Sequence, residues 1–128
     1  MATILVTDDD TACRETILKT LEREGHTLLG ACDVETAIQA VKRNRLDLIV
    51  CDYRMPGKTG VDLLIELEAL GSHVPVLIVS AFADAQTEAD AMRLGAVALL
   101  KKPFRRQQLL DYAALALPQK AAPSPATF

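Results

Sequence analysis

Four places in this 128-residue chain carry residues that could do chemistry: Asp8-Asp9-Asp10, Asp52, Ser80 and Lys102. Each lies at the end of a short apolar run: Ile4-Leu5-Val6, Leu48-Ile49-Val50-Cys51, Val76-Leu77-Ile78-Val79 and Val97-Ala98-Leu99-Leu100. Runs of this length bounded by turn residues read as strands buried on both faces. A strand needs no terminal carboxylate for stability, and a buried charge is costly unless something compensates it. An aspartate can act as the nucleophile that forms an acyl phosphate. Acids gathered at one edge would repel each other, and one lysine does not neutralise three of them. Hard oxygen ligands of this kind suit Mg²⁺, which takes a few carboxylates with waters and a phosphate oxygen. Phosphoryl transfer then needs mainly positioning and charge, to which Lys102 and the Ser80 hydroxyl can contribute.

Taken singly, each group has a plainer reading. Asp52 can cap a turn, one acid of Asp8-Asp9-Asp10 can cap a helix, and Ser80 can be a satisfied strand-end hydroxyl. Lys101-Lys102-Pro103-Phe104-Arg105-Arg106 can be a solvated basic turn. The elements that must position these groups decide between the readings.

Thr3 to Thr7 reads as a first strand. From Thr11 to Glu24 the apolar residues Cys13, Ile17 and Leu21 recur every four positions, with Asp10 or Thr11 as N-cap and Gly25 as stop. A second strand spans Thr27 to Cys32. Asp33 caps a helix whose stripe is Val34, Ala37, Ile38 and Val41. The third strand runs from Leu46 to Asp52, and Gly60 opens an apolar helix over Val61 to Leu70. Val74 to Ser80 is the fourth strand, with Pro75 at its start where no ladder donor is missed. A polar helix over Ala85 to Leu94, a strand over Val97 to Leu100 and a helix over Arg105 to Leu117 complete the pattern. Strand and helix alternate five times, which predicts an α/β fold with a parallel sheet and helices on both faces. In such sheets the site lies beyond the carboxyl ends of the strands. Asp8, Asp9, Asp52, Ser80 and Lys102 are therefore expected to converge on one edge.

Composition narrows the class. Residues 1–117 read as one domain and 118–128, rich in Ala and Pro, as a linker or disordered tail. A net charge of −3 argues against general nucleic-acid binding. No apolar run is long enough for a membrane span and the start lacks signal-peptide features. Cys13, Cys32 and Cys51 show no metal-ligand spacing and read as small buried residues of a reduced cytoplasm.

Jointly and in order, the motifs Ile4-Leu5-Val6-Thr7-Asp8-Asp9-Asp10, Asp52-Tyr53-Arg54-Met55-Pro56-Gly57 with Gly60, Val79-Ser80-Ala81 and Lys102-Pro103-Phe104 resemble the receiver domain of two-component response regulators. The resemblance covers residues 3 to about 117. It implies a five-stranded sheet of order 2-1-3-4-5, the flavodoxin-like order for which a chemotaxis receiver is a standard example. It implies Asp52 as phosphoacceptor, taking phosphoryl from the phosphohistidine of a sensor histidine kinase or phosphotransfer protein. It implies Mg²⁺ held by Asp9 directly, Asp8 through water, Asp52, and the backbone carbonyl of Arg54. Ser80 matches the switch hydroxyl, and Lys102 the lysine whose bond to the next proline is usually cis. The implied role is signalling rather than turnover. Output would pass to an attached domain or effector through the helix Ala85 to Leu94, the fifth strand and the last helix, with homodimerisation on phosphorylation as one form of it. One departure stands out: the family usually carries Tyr or Phe three residues before the lysine, and here that switch position is Leu99.

Three other classes compete. An aspartate-nucleophile phosphatase of the haloacid dehalogenase type needs a second acid two residues after the nucleophile, and Arg54 stands there. A flavin- or nucleotide-binding module needs a Gly- or Ser/Thr-rich phosphate loop after the first strand, where this chain has three acids. A receiver-like scaffold without phosphorylation would not need every chemical residue to be present.

Overall fold

The computed structural model of the protein describes residues 2–81 and 84–117. The expected tail, 118–128, lies outside them. The strands are β1 (Thr3–Thr7), β2 (Thr27–Ala31), β3 (Leu48–Asp52), β4 (Val76–Ser80) and β5 (Ala98–Lys101). The helices are α1 (Thr11–Glu22), α2 (Val34–Arg43), α3 (Gly60–Ala69), α4 (Ala85–Arg93) and α5 (Arg106–Ala116). All strand pairs are parallel, in the order β2-β1-β3-β4-β5. The expected topology is the observed one.

Alternation along the strands builds two cores. Leu5, Ile49, Cys51, Ile78 and Leu99 face one side, where they meet Val34 and Ala37 of α2, Leu63 and Leu67 of α3, and Ala91 of α4. Ile4, Val6, Val50, Leu77 and Leu100 face the other, against Ile17 and Leu21 of α1 and Leu109 and Ala113 of α5. Each fully buried aliphatic side chain contributes about 1.5–3 kcal/mol, so these layers fix strand register far more strongly than any surface contact. Register matters because a one-residue slip would send every strand-end group to the wrong face.

The helix starts are set by short polar side chains. Asp10 accepts from the N–H groups of Ala12 and Cys13, Asp33 from Thr36 and Asp84 from Thr87. At α3 the Thr59 hydroxyl accepts from the Asp62 N–H, and the Asp62 carboxylate from the Thr59 N–H. Gly25 closes the turn after α1 with φ +91°, a backbone that L side chains adopt only under strain.

Element ends differ from expectation for local reasons. β3 begins at Leu48 rather than Leu46; Asp47 before it is still tied to β1, its N–H donating to the Thr3 carbonyl at 2.8 Å and its carboxylate accepting from the Thr3 N–H at 2.9 Å. β4 begins at Val76, and Pro75 before it contributes its carbonyl to the Ile49 N–H at 2.9 Å. The cysteines also need correction. Cys51 is buried as expected, but Cys13 is half-buried and Cys32, just past the end of edge strand β2, is exposed.

Gly60 couples this scaffold to the strand that ends in Asp52. Its N–H donates to the Tyr53 carbonyl at 2.7 Å. A Cβ there would lie 3.3 Å from the Asp52 carbonyl oxygen, 3.3 Å from Tyr53 Cα and 3.0 Å from Ile78 Cδ1. Alanine would improve helix propensity by up to about 1 kcal/mol, but two of its neighbours are backbone and cannot swing aside. Overpacking of this kind costs about 1–3 kcal/mol and should win. Gly60→Ala is therefore expected to lower the melting temperature by about 3–8 °C in a thermal scan, whereas an unchanged or higher value would show that the β3–α3 turn yields freely.

Candidate functional site

The parallel ladder runs one rung past the strands on the carboxyl side. Asp8 N–H donates to the Ala31 carbonyl at 3.0 Å, Tyr53 N–H to Val79 at 2.8 Å and Lys102 N–H to Ser80 at 2.8 Å. Main-chain bonds thus hold the turns after β1, β3 and β5 level with each other. Asp52 is in register with Val79, one residue before Ser80.

Asp8 is the most enclosed charge, 1% exposed. Its Oδ1 accepts from the Asp10 N–H at 2.9 Å and its Oδ2 from Lys102 Nζ at 3.4 Å. Its backbone carbonyl accepts from Arg14 Nη1 at 2.6 Å. Every polar part of this buried residue has a partner, which is the condition under which a buried carboxylate is tolerated.

Lys102 Nζ also lies 3.1 Å from Asp52 Oδ1. The ammonium therefore bridges the two carboxylates across the sheet edge. Burial of the lysine works against its charge, but the hydrogen bond to Asp52 and the charges of Asp52 and Asp8 outweigh it and raise its pKa. The Lys102–Pro103 peptide bond is cis, as the motif implied.

One lysine does not balance the edge. Carboxylate oxygens of Asp8, Asp9 and Asp52 all lie within 4.8 Å of one another. Burial first, then the charge of Asp8 and a smaller contribution from Asp9, raise the pKa of Asp52, against the lowering influence of Lys102. A raised carboxyl is a more basic and so more nucleophilic oxygen once ionised. Asp52 retains an opening to solvent while Asp8 does not, so of the two only Asp52 is placed to meet an incoming group. Three hard oxygen donors with a net negative balance fit a small divalent cation.

The structure gathers Asp8, Asp9, Asp52 and Lys102 by direct contact or close approach. Ser80 is buried as the last residue of β4, in main-chain contact with Lys102. Arg54 pairs antiparallel with Thr59 in an isolated bridge that closes the Pro56-Gly57 turn, so its main chain is held beside the end of β3. Leu99 stands apart in kind: it is 6% exposed and packs in the apolar core beneath α4, in register with Ile78.

Sequence reasoning missed two neighbours. Cys13, in the first turn of α1, contacts Asp8; burial first and then Asp8 push its thiol up to about 11, which leaves it protonated and unreactive at neutral pH. Arg14 is the second, and its only signal was a glycine, Gly30, inside an otherwise regular edge strand.

Comparison with known proteins agrees with this geometry. A family model described as the response regulator receiver domain matches residues 4–114. Response regulator protein FleR of Pseudomonas aeruginosa is 35% identical over 113 residues, covering 88% of this chain and 24% of FleR. Transcriptional regulatory protein FixJ of Bradyrhizobium diazoefficiens is 35% identical over 106 residues, covering 83% of this chain and 52% of FixJ. The chain thus spans between a quarter and about half of the length of these relatives. Among solved structures, the receiver domain of NtrX from Brucella abortus superposes with a TM-score of 0.84 at 31% identity, over 89% of this chain and 97% of that one. A CheY-like receiver domain protein from Methanospirillum hungatei JF-1 shares the fold, with a TM-score of 0.88 at 23% identity over 97% of this chain and 99% of that one. The chain belongs to the response regulator receiver domains of two-component signal transduction.

Proposed function

We propose that this receiver domain accepts a phosphoryl group on Asp52 from the phosphohistidine of a sensor histidine kinase or phosphotransfer protein, in the cytoplasm, and relays the change to an output domain or effector. The observation that carries this reading is Asp52 itself: a solvent-reached carboxylate with a raised pKa, bridged by Lys102 to a buried second acid. An Asp52 carboxylate oxygen attacks phosphorus, the P–N bond breaks, and the imidazole leaves and takes up a proton. Lys102 follows the charge on the acceptor and on the entering phosphoryl oxygens, while the Ser80 hydroxyl donates to one of them. Asp8, Asp9, Asp52 and the Arg54 carbonyl would hold Mg²⁺, which when bound offsets carboxylate repulsion and screens the phosphoryl charge. The domain is read as a signalling switch that assists its own phosphorylation and dephosphorylation, not as an enzyme with a separate substrate.

The Leu99 position shapes the switch. A core leucine has no ring to rotate between exposed and buried states, so the change would pass through Ser80 and the chain after it toward the α4-β5-α5 face. That face is the proposed route to output, through an attached domain, an effector or a second phosphorylated copy. Nothing in this reading has the domain contact nucleic acid or membrane. Among the described residues no helix is long and apolar enough to cross a membrane.

Acetyl phosphate with Mg²⁺ is expected to add one phosphoryl group, read by intact-protein mass spectrometry, and the adduct should vanish with hydroxylamine as acyl phosphates do. Asp52→Asn should show no stoichiometric adduct; labelling of that variant as fully as wild type would contradict the assignment.

Leu99→Tyr is expected to alter partner binding or dimerisation while phosphorylation stays within about a few-fold, since the chemistry needs no group at this position. Loss of phosphorylation would place Leu99 within the reacting site.

The carboxylate cluster also predicts a dependence on metal and pH. Because the folded chain raises the Asp52 pKa above its ordinary 3.8, the folded state holds that proton to higher pH than the unfolded one. Metal-free stability should therefore fall as pH rises from the ordinary value through the raised one, and the stabilisation by Mg²⁺ should grow over the same window. At tenfold its dissociation constant a ligand adds about 1.4 kcal/mol, or a melting shift of about 3–6 °C. Asp9→Ala should melt higher than wild type without metal and lose the Mg²⁺ shift. A wild-type melting curve that ignores Mg²⁺ would remove the metal from the proposal.

A further inference from the structure

Gly30 is costly where it stands. It sits in edge strand β2, in register with Val6 and on the face that α1 covers, and glycine inside a strand weakens it and often marks a close approach. Here the approaching groups are Leu18 and Arg14 of α1, both at ordinary contact distance. A Cβ on Gly30 would lie 3.6 Å from Arg14 Cδ, 3.8 Å from Arg14 Nε and 3.5 Å from Leu18 Cδ1. The arginine stem therefore runs along the lane that the missing side chain leaves, and its Nη1 ends 2.6 Å from the Asp8 carbonyl oxygen.

That carbonyl is where β1 turns away from the sheet into the acidic loop. The Asp8 N–H is the last rung to β2, and Arg14 takes up the carbonyl that follows it. Arg14 is itself tied to the loop, since its own N–H donates to the Asp10 carbonyl at 2.9 Å. A charge-assisted bond is stronger than a neutral one, so the guanidinium anchors the peptide between Asp8 and Asp9 from below. We infer that Arg14, seated over Gly30, is a positioning residue that sets the Asp8–Asp9 peptide, and with it the two carboxylates, for divalent-metal binding.

The sign of the effect separates this role from simple electrostatics. A positive charge near a cation site weakens binding, so removing Arg14 for its charge alone would tighten Mg²⁺. If the residue positions the ligands, removing it loosens Mg²⁺. Support of this kind for metal ligands is worth about tenfold or more in affinity.

The inference rests on the Mg²⁺ site proposed above, and its test keeps the two apart. Titration calorimetry with MgCl₂ on the unphosphorylated protein is expected to give Arg14→Met a dissociation constant about tenfold above wild type, with Arg14→Lys, which keeps a charged donor, recovering most of the loss. Gly30→Leu leaves Arg14 chemically intact but fills its lane, and should weaken Mg²⁺ to a similar degree. Gly30→Ala places its Cβ in ordinary contact and should leave the constant near wild type. Adding Gly30→Leu to Arg14→Met should weaken binding little further, because both remove one contact. Metal-free thermal scans run alongside provide the structural control. Variants that melt lower but bind Mg²⁺ like wild type would make Arg14 a stability residue only and overturn the inference while leaving the Mg²⁺ site standing. Tighter binding by Arg14→Met would do the same. A wild-type protein that takes up no Mg²⁺ would overturn both.

Discussion

The ammonium of Lys102, 3.1 Å from Asp52 and 3.4 Å from Asp8, is the interaction on which the rest of this domain's chemistry depends. It joins the turns after β1, β3 and β5, which are far apart in the chain and meet only because the sheet is wound in the order β2-β1-β3-β4-β5. An ammonium shared by two largely enclosed carboxylates offsets much of the cost of burying their charge. Yet the balance stays incomplete. Two buried or half-buried acids and the nearby Asp9 share one lysine, and the excess negative charge is what makes the edge receptive to a cation and keeps Asp52 basic.

The scaffold answers this demand with main-chain geometry more than with side chains. Hydrogen bonds from Asp8, Tyr53 and Lys102 extend the ladder beyond each strand, and Gly60 lets α3 start against the Asp52 peptide. The two apolar layers hold register, and register holds the site. Stability and the site are thus joined at particular atoms: a methyl group on Gly60 presses on the same backbone that carries Asp52.

Much of this was legible in the chain. Asp52 directly follows a continuous apolar run and Lys102 stands two residues past another; such runs alternating with helical patterns read as strands of a doubly covered parallel sheet, and the convergence follows from that topology. Asp10 as N-cap and Gly25 as helix stop follow from backbone chemistry that acts within a few residues. What escaped the sequence depends on contacts between distant elements. Arg14 looks like any helix-surface arginine until Gly30 of β2 is seen beneath it. Cys32 looked buried beside Ala31, but β2 is an edge strand and ends before it. Where β3 and β4 begin depends on single residues: the Asp47 carboxylate meets the Thr3 N–H, and Pro75 has no N–H for the ladder.

Within this one enclosed edge Lys102 and Asp8 act on Asp52 in opposite directions. Carbon-detected NMR titration of the Asp52 carboxyl in metal-free protein tests this directly. Wild-type Asp52 should titrate above its ordinary 3.8, Lys102→Met should move the midpoint higher still, and Asp8→Asn should bring it down. An Asp52 that titrates at its ordinary value, unmoved by either substitution, would mean that neither Lys102 nor Asp8 sets its charge.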